Sequence, residues 1–198
     1  MTVTDINYDG GMVRWEPGSR ERLVQAAFAL YAERGFEATT VADIAERAGL
    51  TERTFFRHFA DKREVLFAGS AELQDALVRA VAGAPASLAA IEAVAGGLEA
   101  IAAVLPDVEV ARRRQRIIAA NPELQERELI KLASLSAALA GALRGRGVPE
   151  PAASLTAEIG IAIFRIAFER WVDESNRRDL SALMRESLDE VKAVTATA

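Results

Sequence analysis

Residues 35–67 read GFEATTVADIAERAGLTERTFFRHFADKREVLF, and this stretch decides the fold. Two short segments with helical spacing, 41–48 and 52–58, are joined by Gly49-Leu50-Thr51. Val41, Ile44, Ala45 and Ala48 recur on one helical face. Thr40 and Thr51 stand just before the segments, where a hydroxyl accepts a free backbone N–H. A helix as short as 52–58 is unstable alone, so its use lies in what it presents. A three-residue turn with glycine sets two short axes steeply across each other, as a helix-turn-helix does. Phe55, Phe56 and Phe59 read as inward. The outward set is Glu52, Arg53, Thr54, Arg57 and His58, compact or forked groups suited to base edges and phosphates. The start of the second helix adds backbone N–H groups for a phosphate. Thr40 and Thr51 are equally good caps whatever they bind, and Arg53 and Arg57 can be ordinary solvated charges.

Upstream, apolar spacing predicts a helix over 19–34, capped by Ser19 and stopped by Gly35, with Leu23, Ala27, Leu30 and Tyr31 inward. Downstream, Asp61 is expected to cap a helix running to Val81, and Gly83-Ala84-Pro85 breaks it. Further helices are predicted over 86–104, 107–119, 122–144, 151–174 and 178–194, with Pro106, Pro122 and Pro149 near their starts. The expectation is an all-α fold of about nine helices. It divides into a flexible arm over 1–17, a helix-turn-helix head over 18–64 and a body over 65–198. Met12 is a second candidate start.

Composition narrows the function. The 198 residues are 51% hydrophobic and include no cysteine and one histidine. That removes thiol chemistry and leaves no basis for a metal set or a histidine-based triad. No metal, cofactor or catalytic residue is expected, and the chain is not read as an enzyme. No apolar run reaches bilayer length and the N-terminus lacks a signal peptide pattern, so the expected location is the cytoplasm, with no membrane partner. The net charge of −5 is unusual for a nucleic-acid binder. Any electrostatic footprint on DNA is therefore local.

The 35–67 run resembles the signature of TetR-family regulators over its whole length. The likeness rests on Gly35 with its following aromatic, Thr39-Thr40, Ile44-Ala45, Ala48-Gly49, His58-Phe59 and Lys62. It implies double-stranded DNA with an inverted-repeat operator as partner, and a repressor released by a small apolar ligand. It implies a phosphate contact for Thr40, base contacts for Arg53 and Thr54, and backbone contacts for His58 and Lys62. Thr51, Phe56 and Arg57 complete the expected DNA-facing set. Two positions depart from the pattern: Arg53 stands where glycine is frequent, and Phe56 where tyrosine is frequent. Phe56 has no hydroxyl for a phosphate, while Arg53 offers a fork that can read guanine.

The body carries two further expectations. The helix over 151–174 is apolar nearly all round, which means burial all round. Ile159, Ile163 and Phe164, with Leu180, Leu183, Met184 and Leu188 of the last helix, are expected at a homodimer interface; the resemblance implies a four-helix contact there. The stretch RRRQRIIAANPELQERELIK, 112–131, is similar to a TetR subgroup associated with acyl-CoA-like ligands. Arg113, Arg116, Ile117, Phe164 and Phe168 are the candidate ligand residues. A solvated basic face is the simpler reading of the arginines. A helical module that binds another protein is the competing reading of the body; a shift assay with palindromic DNA separates the two.

Overall fold

A computed structural model of the chain describes residues 18–105 and 107–196; the arm expected over 1–17, with Met12, lies outside them, as does Pro106. The elements are α1 (Ser19–Arg34), α2 (Val41–Arg47), α3 (Glu52–His58), a 3-10 turn (Glu64–Phe67), α4 (Ser70–Gly83), α5 (Ala90–Val104), α6 (Val108–Ala119), α7 (Pro122–Gly145), α8 (Ala152–Val172) and α9 (Leu180–Ala196). The fold is all-α, with nine α-helices and no strand among the described residues.

Two local expectations are corrected. Ser19 does not cap α1: Gly18 holds the cap position without a side-chain bond, and the Ser19 hydroxyl lies 2.7 Å from His58 Nε2 instead. The helix expected from Asp61 onward is interrupted. Asp61 does accept the N–H groups of Arg63 (2.8 Å) and Glu64 (3.2 Å), but only a single 3-10 turn follows. Val65, Leu66 and Phe67 are all buried. An α-helix would spread three consecutive side chains over about 200° of its circumference, too wide for one core face. α4 begins beyond Gly69.

The apolar side chains gather in two clusters. The head cluster joins Leu23, Ala27, Leu30 and Tyr31 of α1 to Ile44, Phe55 and Phe59. It also takes Val65, Leu66 and Phe67 and reaches Ile118 and Leu124 of α6 and α7. The head core thus extends past residue 64 and is completed by the last turn of α6 and the first turn of α7. The body cluster is built from α4, α5, α7, α8 and α9. Its helices approach closely at two glycines. A Cβ on Gly97 would fall 2.6 Å from Leu77 Cδ1, and one on Gly160 2.6 Å from Val94 Cγ1.

Polar groups fasten the two clusters together. Arg114 donates to the Leu66 carbonyl (2.8 Å), pairs with Glu128 (2.9 Å) and lies over the Phe67 ring. Glu64 receives Arg127 (2.6 Å) and Lys131 (2.9 Å). Removing one partner of such a half-buried group strands the other, which is costlier than never having the pair.

Candidate nucleic-acid interface

Each part of the α2–α3 unit is held by a local device. Thr40 and Asp43 form a reciprocal cap: the Asp43 N–H donates to Thr40 Oγ1 (3.2 Å), and the Thr40 N–H to Asp43 Oδ2 (2.8 Å). The Thr40 hydroxyl also donates to that carboxylate (2.6 Å), and Arg34 pairs with it at 2.5 Å. These bonds, Thr40's first, hold the Asp43 carboxyl down to about 2. The turn then closes with Gly49 at φ +64°, as its N–H donates to Glu46 and that of Leu50 to Ala45. Arg22 crosses from α1 to donate to the Ala48 and Gly49 carbonyls. A Cβ on Gly49 would meet that guanidinium at 2.9 Å. The positive φ favours glycine here; the Arg22 tip is flexible and could shift. Thr51 caps α3 by accepting from the Thr54 N–H at 3.2 Å.

α3 is anchored by Phe55 and Phe59, four residues apart and buried with ring centroids 5.6 Å apart. Phe56 is not inward as expected. It lies about 100° round the helix from Phe55 and is 56% exposed. With Arg53, Thr54 and Arg57 it lines an open concavity of about 450 Å³ on the outer side of α3.

The fate of the head's cations was not legible in the sequence. Arg20 donates to the Ala68 carbonyl, Arg22 to the α2–α3 turn, Arg34 pairs with Asp43, Arg47 with Glu33, and Arg63 with Asp61. Lys62, for which a phosphate role is expected, is engaged within the head. Its ammonium donates to the carbonyls of Phe36 (2.9 Å), Glu37 (3.3 Å) and Thr39 (3.1 Å) and lies 4.3 Å from the Phe36 ring centroid. It uses its three donors on the α1–α2 turn. His58 is likewise engaged by Ser19. Among the described head residues, Arg53 and Arg57 are the cations with no carboxylate or carbonyl partner; Arg57 comes only within 3.5 Å of His58 Nε2. A signal existed in part: Asp61 lies two residues before its partner Arg63, but Glu33 and Asp43 are far from theirs in sequence, and carbonyl acceptors leave no trace in it.

The body residues are distributed differently from expectation. Ile163, Phe164, Leu180, Leu183, Met184 and Leu188 are buried within one chain, with Ile159 packed at the edge of the same cluster. They hold the subunit's own core, so those six are not a free surface. α8 is not apolar and buried all round. Leu155 is 61% and Ile166 45% exposed, and with half-buried Ile159 and Ala162 they form an outward stripe at helical spacing. The five candidate ligand residues do not converge. Arg113 and Arg116 face solvent, Ile117 packs on the head cluster, and Phe164 and Phe168 meet at a tilt in the body with ring centroids 5.7 Å apart. Arg112 and Arg114 are occupied elsewhere, Arg112 on the carbonyls of Val172 and Asp173. Among the described residues no group of acidic, histidine or cysteine side chains could hold a metal, and no helix is long and apolar enough to cross a membrane.

A capped helix-turn-helix with an open cationic face, set on a bundle of helices, defines a class of regulatory proteins. Comparison gives the family. Residues 23–68 match the profile described as bacterial regulatory proteins of the tetR family, and residues 88–196 match the MftR C-terminal domain. The chain belongs to the TetR family of transcriptional regulators. It is 35% identical over 92 residues to the HTH-type transcriptional regulator TcmR of Streptomyces glaucescens, covering 46% of this chain and 41% of that protein. It is 47% identical over 47 residues to the transcriptional repressor KstR2 of Mycobacterium tuberculosis, covering 24% of each. The chain thus spans less than half the length of these curated relatives. A TetR-family regulator from Mesorhizobium loti aligns over 90% of this chain and 96% of its own, with 25% identity and a TM-score of 0.56.

Proposed function

We propose that the chain is a homodimeric, cytoplasmic repressor that binds an inverted-repeat operator through α3 and is released by a small apolar ligand. The observation that carries the DNA reading is the pair of guanidiniums, Arg53 and Arg57, with no carboxylate or carbonyl partner among the described residues, on the outer face of α3 beside Thr54 and Phe56. Two such helices related by a two-fold axis would enter successive major grooves about 34 Å apart. Thr51 is the helix cap and supports this set from its edge; Thr40 caps α2 and Lys62 braces the turn before it, so both position the interface.

The dimer surface is the outward stripe of α8, Leu155, Ile159, Ala162 and Ile166, in place of the buried residues first expected. An exposed apolar stripe along one helix fits a self-complementary two-fold contact. The ligand is assigned as apolar because the body interior is aliphatic; an acyl-CoA-like molecule is the class that the likeness of 112–131 implies. Arg113 and Arg116, in solvent on α6, are the arginines of that stretch available to its phosphates. Release follows if ligand and DNA favour different conformations. No catalytic role is assigned.

The test is selection of bound duplexes from a random library, with sedimentation of the free protein. An enriched inverted repeat and a dimer are expected. No enriched sequence, or a monomer with full DNA affinity, would overturn the reading. Long-chain acyl-CoAs should raise the melting temperature and release the selected DNA; release by polar metabolites alone would overturn the ligand assignment.

A further inference from the structure

α3 exposes an aromatic ring where two cations alone would serve for phosphates, and this bears on which bases it reads. The inference rests on the DNA-binding reading above. Arg53 and Phe56 are three residues apart, Arg53 and Arg57 four, so the three stand on one side of the helix and line one concavity with Thr54. Phe56 belongs to neither apolar cluster. Its ring meets that of buried Phe55 edge-on, at 5.5 Å and 82°, so it is supported from behind while its outer face is open.

A phenyl ring offers nothing to a phosphate oxygen. It gains by covering another apolar group, and in the major groove the thymine 5-methyl is the apolar group a base pair presents. Arg53 carries a fork matched to O6 and N7 of guanine. Three residues of helix rise about 4.5 Å, near the base-pair spacing of about 3.4 Å. Arg53 and Phe56 therefore reach neighbouring base pairs. The geometry points to a composite reader: in each half-site Arg53 holds a guanine, and the Phe56 ring covers the 5-methyl of a thymine in the adjacent base pair. Arg57, further along the helix, then faces the sugar-phosphate edge.

The experiment uses the full chain and the duplex enriched from the random library. Each thymine of one half-site is replaced in turn by deoxyuridine, which removes only the methyl, and each guanine by 7-deazaguanine, which removes only the N7 acceptor. One deoxyuridine position should weaken binding about four-fold, and the base pair next to it should carry a guanine whose 7-deaza form weakens binding about ten-fold. F56A should lose affinity to a similar degree and become indifferent to deoxyuridine at that position; R53A should become indifferent to the 7-deaza change. Both side chains are exposed, so both variants keep the fold. A flat deoxyuridine scan, a methyl effect that persists in F56A, or a sensitive thymine distant from the Arg53 guanine would overturn the proposal while leaving the DNA-binding reading intact. If no repeat is enriched, that reading itself fails and this one with it.

Discussion

The head and the body of this chain solve opposite problems with similar helices. The head is small, and its cluster is closed by polar clamps: Arg22 on the α2–α3 turn, Lys62 on the α1–α2 turn, Tyr31 donating to the Lys62 carbonyl at 2.7 Å. The body is larger and rests more on apolar packing, close at Gly97 and Gly160, with Arg112 and Arg146 adding clamps on the Val172, Asp173, Val81 and Pro85 carbonyls. The difference explains how a chain of net charge −5 can present a cationic face. Most head cations serve the fold, and the two left over are concentrated on α3. A residue's charge is thus a poor guide to its role until its partners are known.

The comparison is broken most severely in the body. Phe164→Asp places a charge inside the aliphatic cluster, which costs several kcal/mol when unpaired. Ile166→Asp changes the outward stripe of the same helix. Phe164→Asp should give loss of the cooperative thermal transition, and Ile166→Asp a folded chain that sediments as monomer. A folded dimer from Phe164→Asp would contradict the core placement; a dimer from Ile166→Asp would contradict the proposed face.

In the head, the clamp is the target. Lys62→Met keeps the aliphatic stem but removes three donors from the Phe36, Glu37 and Thr39 carbonyls. Charged hydrogen bonds to partly buried acceptors are worth about 1.5–3 kcal/mol, and partial exposure of Lys62 puts the expected loss near the lower end, about 2 kcal/mol. Denaturant unfolding should show it, with the salt dependence of DNA binding nearly unchanged. A lower salt slope without loss of stability would restore Lys62 as a phosphate contact. Gly49→Ala should cost about 1–2 kcal/mol from the positive φ alone, read by the same unfolding experiment; an unchanged midpoint would refute the need for glycine there.

These substitutions mark what was legible in the sequence. Helix periods, the two threonine caps and the α2–α3 turn are local, so α2 and α3 could be placed within a residue or two. What escaped was long-range. Phe56 reads as a third inward phenylalanine until the orientation of α3 is known. The bracing of the α1–α2 turn by Lys62 is invisible because its acceptors are backbone carbonyls some two dozen residues away. The apolar residues of α8 and α9 could be counted but not divided between the subunit core and its surface. That division depends on how α5 and α7 pack against them. Asp61 was a correct cap with the wrong helix after it, because three consecutive buried residues forced a tighter turn.

The smallest expected effect concerns acid, at the start of α2. The Asp43 carboxyl is held down to about 2 by the Thr40 hydroxyl, the Thr40 N–H and Arg34. Its unfolded value is the higher one, 3.8, so the folded head favours the ionised form. This contribution is complete above about pH 4 and is lost as the pH falls toward 2. In the body Glu150, Asp173 and Glu186 are also held below the usual carboxylate range, by hydrogen bonds from Arg144, Ser175 and Arg178 respectively, so the test must isolate Asp43 from them. Asp43→Asn should therefore flatten the stability–pH curve between about pH 4 and 2 relative to the unsubstituted protein, and the difference between the two curves isolates this carboxyl from the other acids titrating there. Thr40→Ala should remove most of the same difference and also lower stability by about 1 kcal/mol at neutral pH, through the lost cap. The group is exposed and salt screens it, so the effect should shrink as ionic strength rises. Equal acid sensitivity in all three proteins would show that the reciprocal cap does not persist in solution.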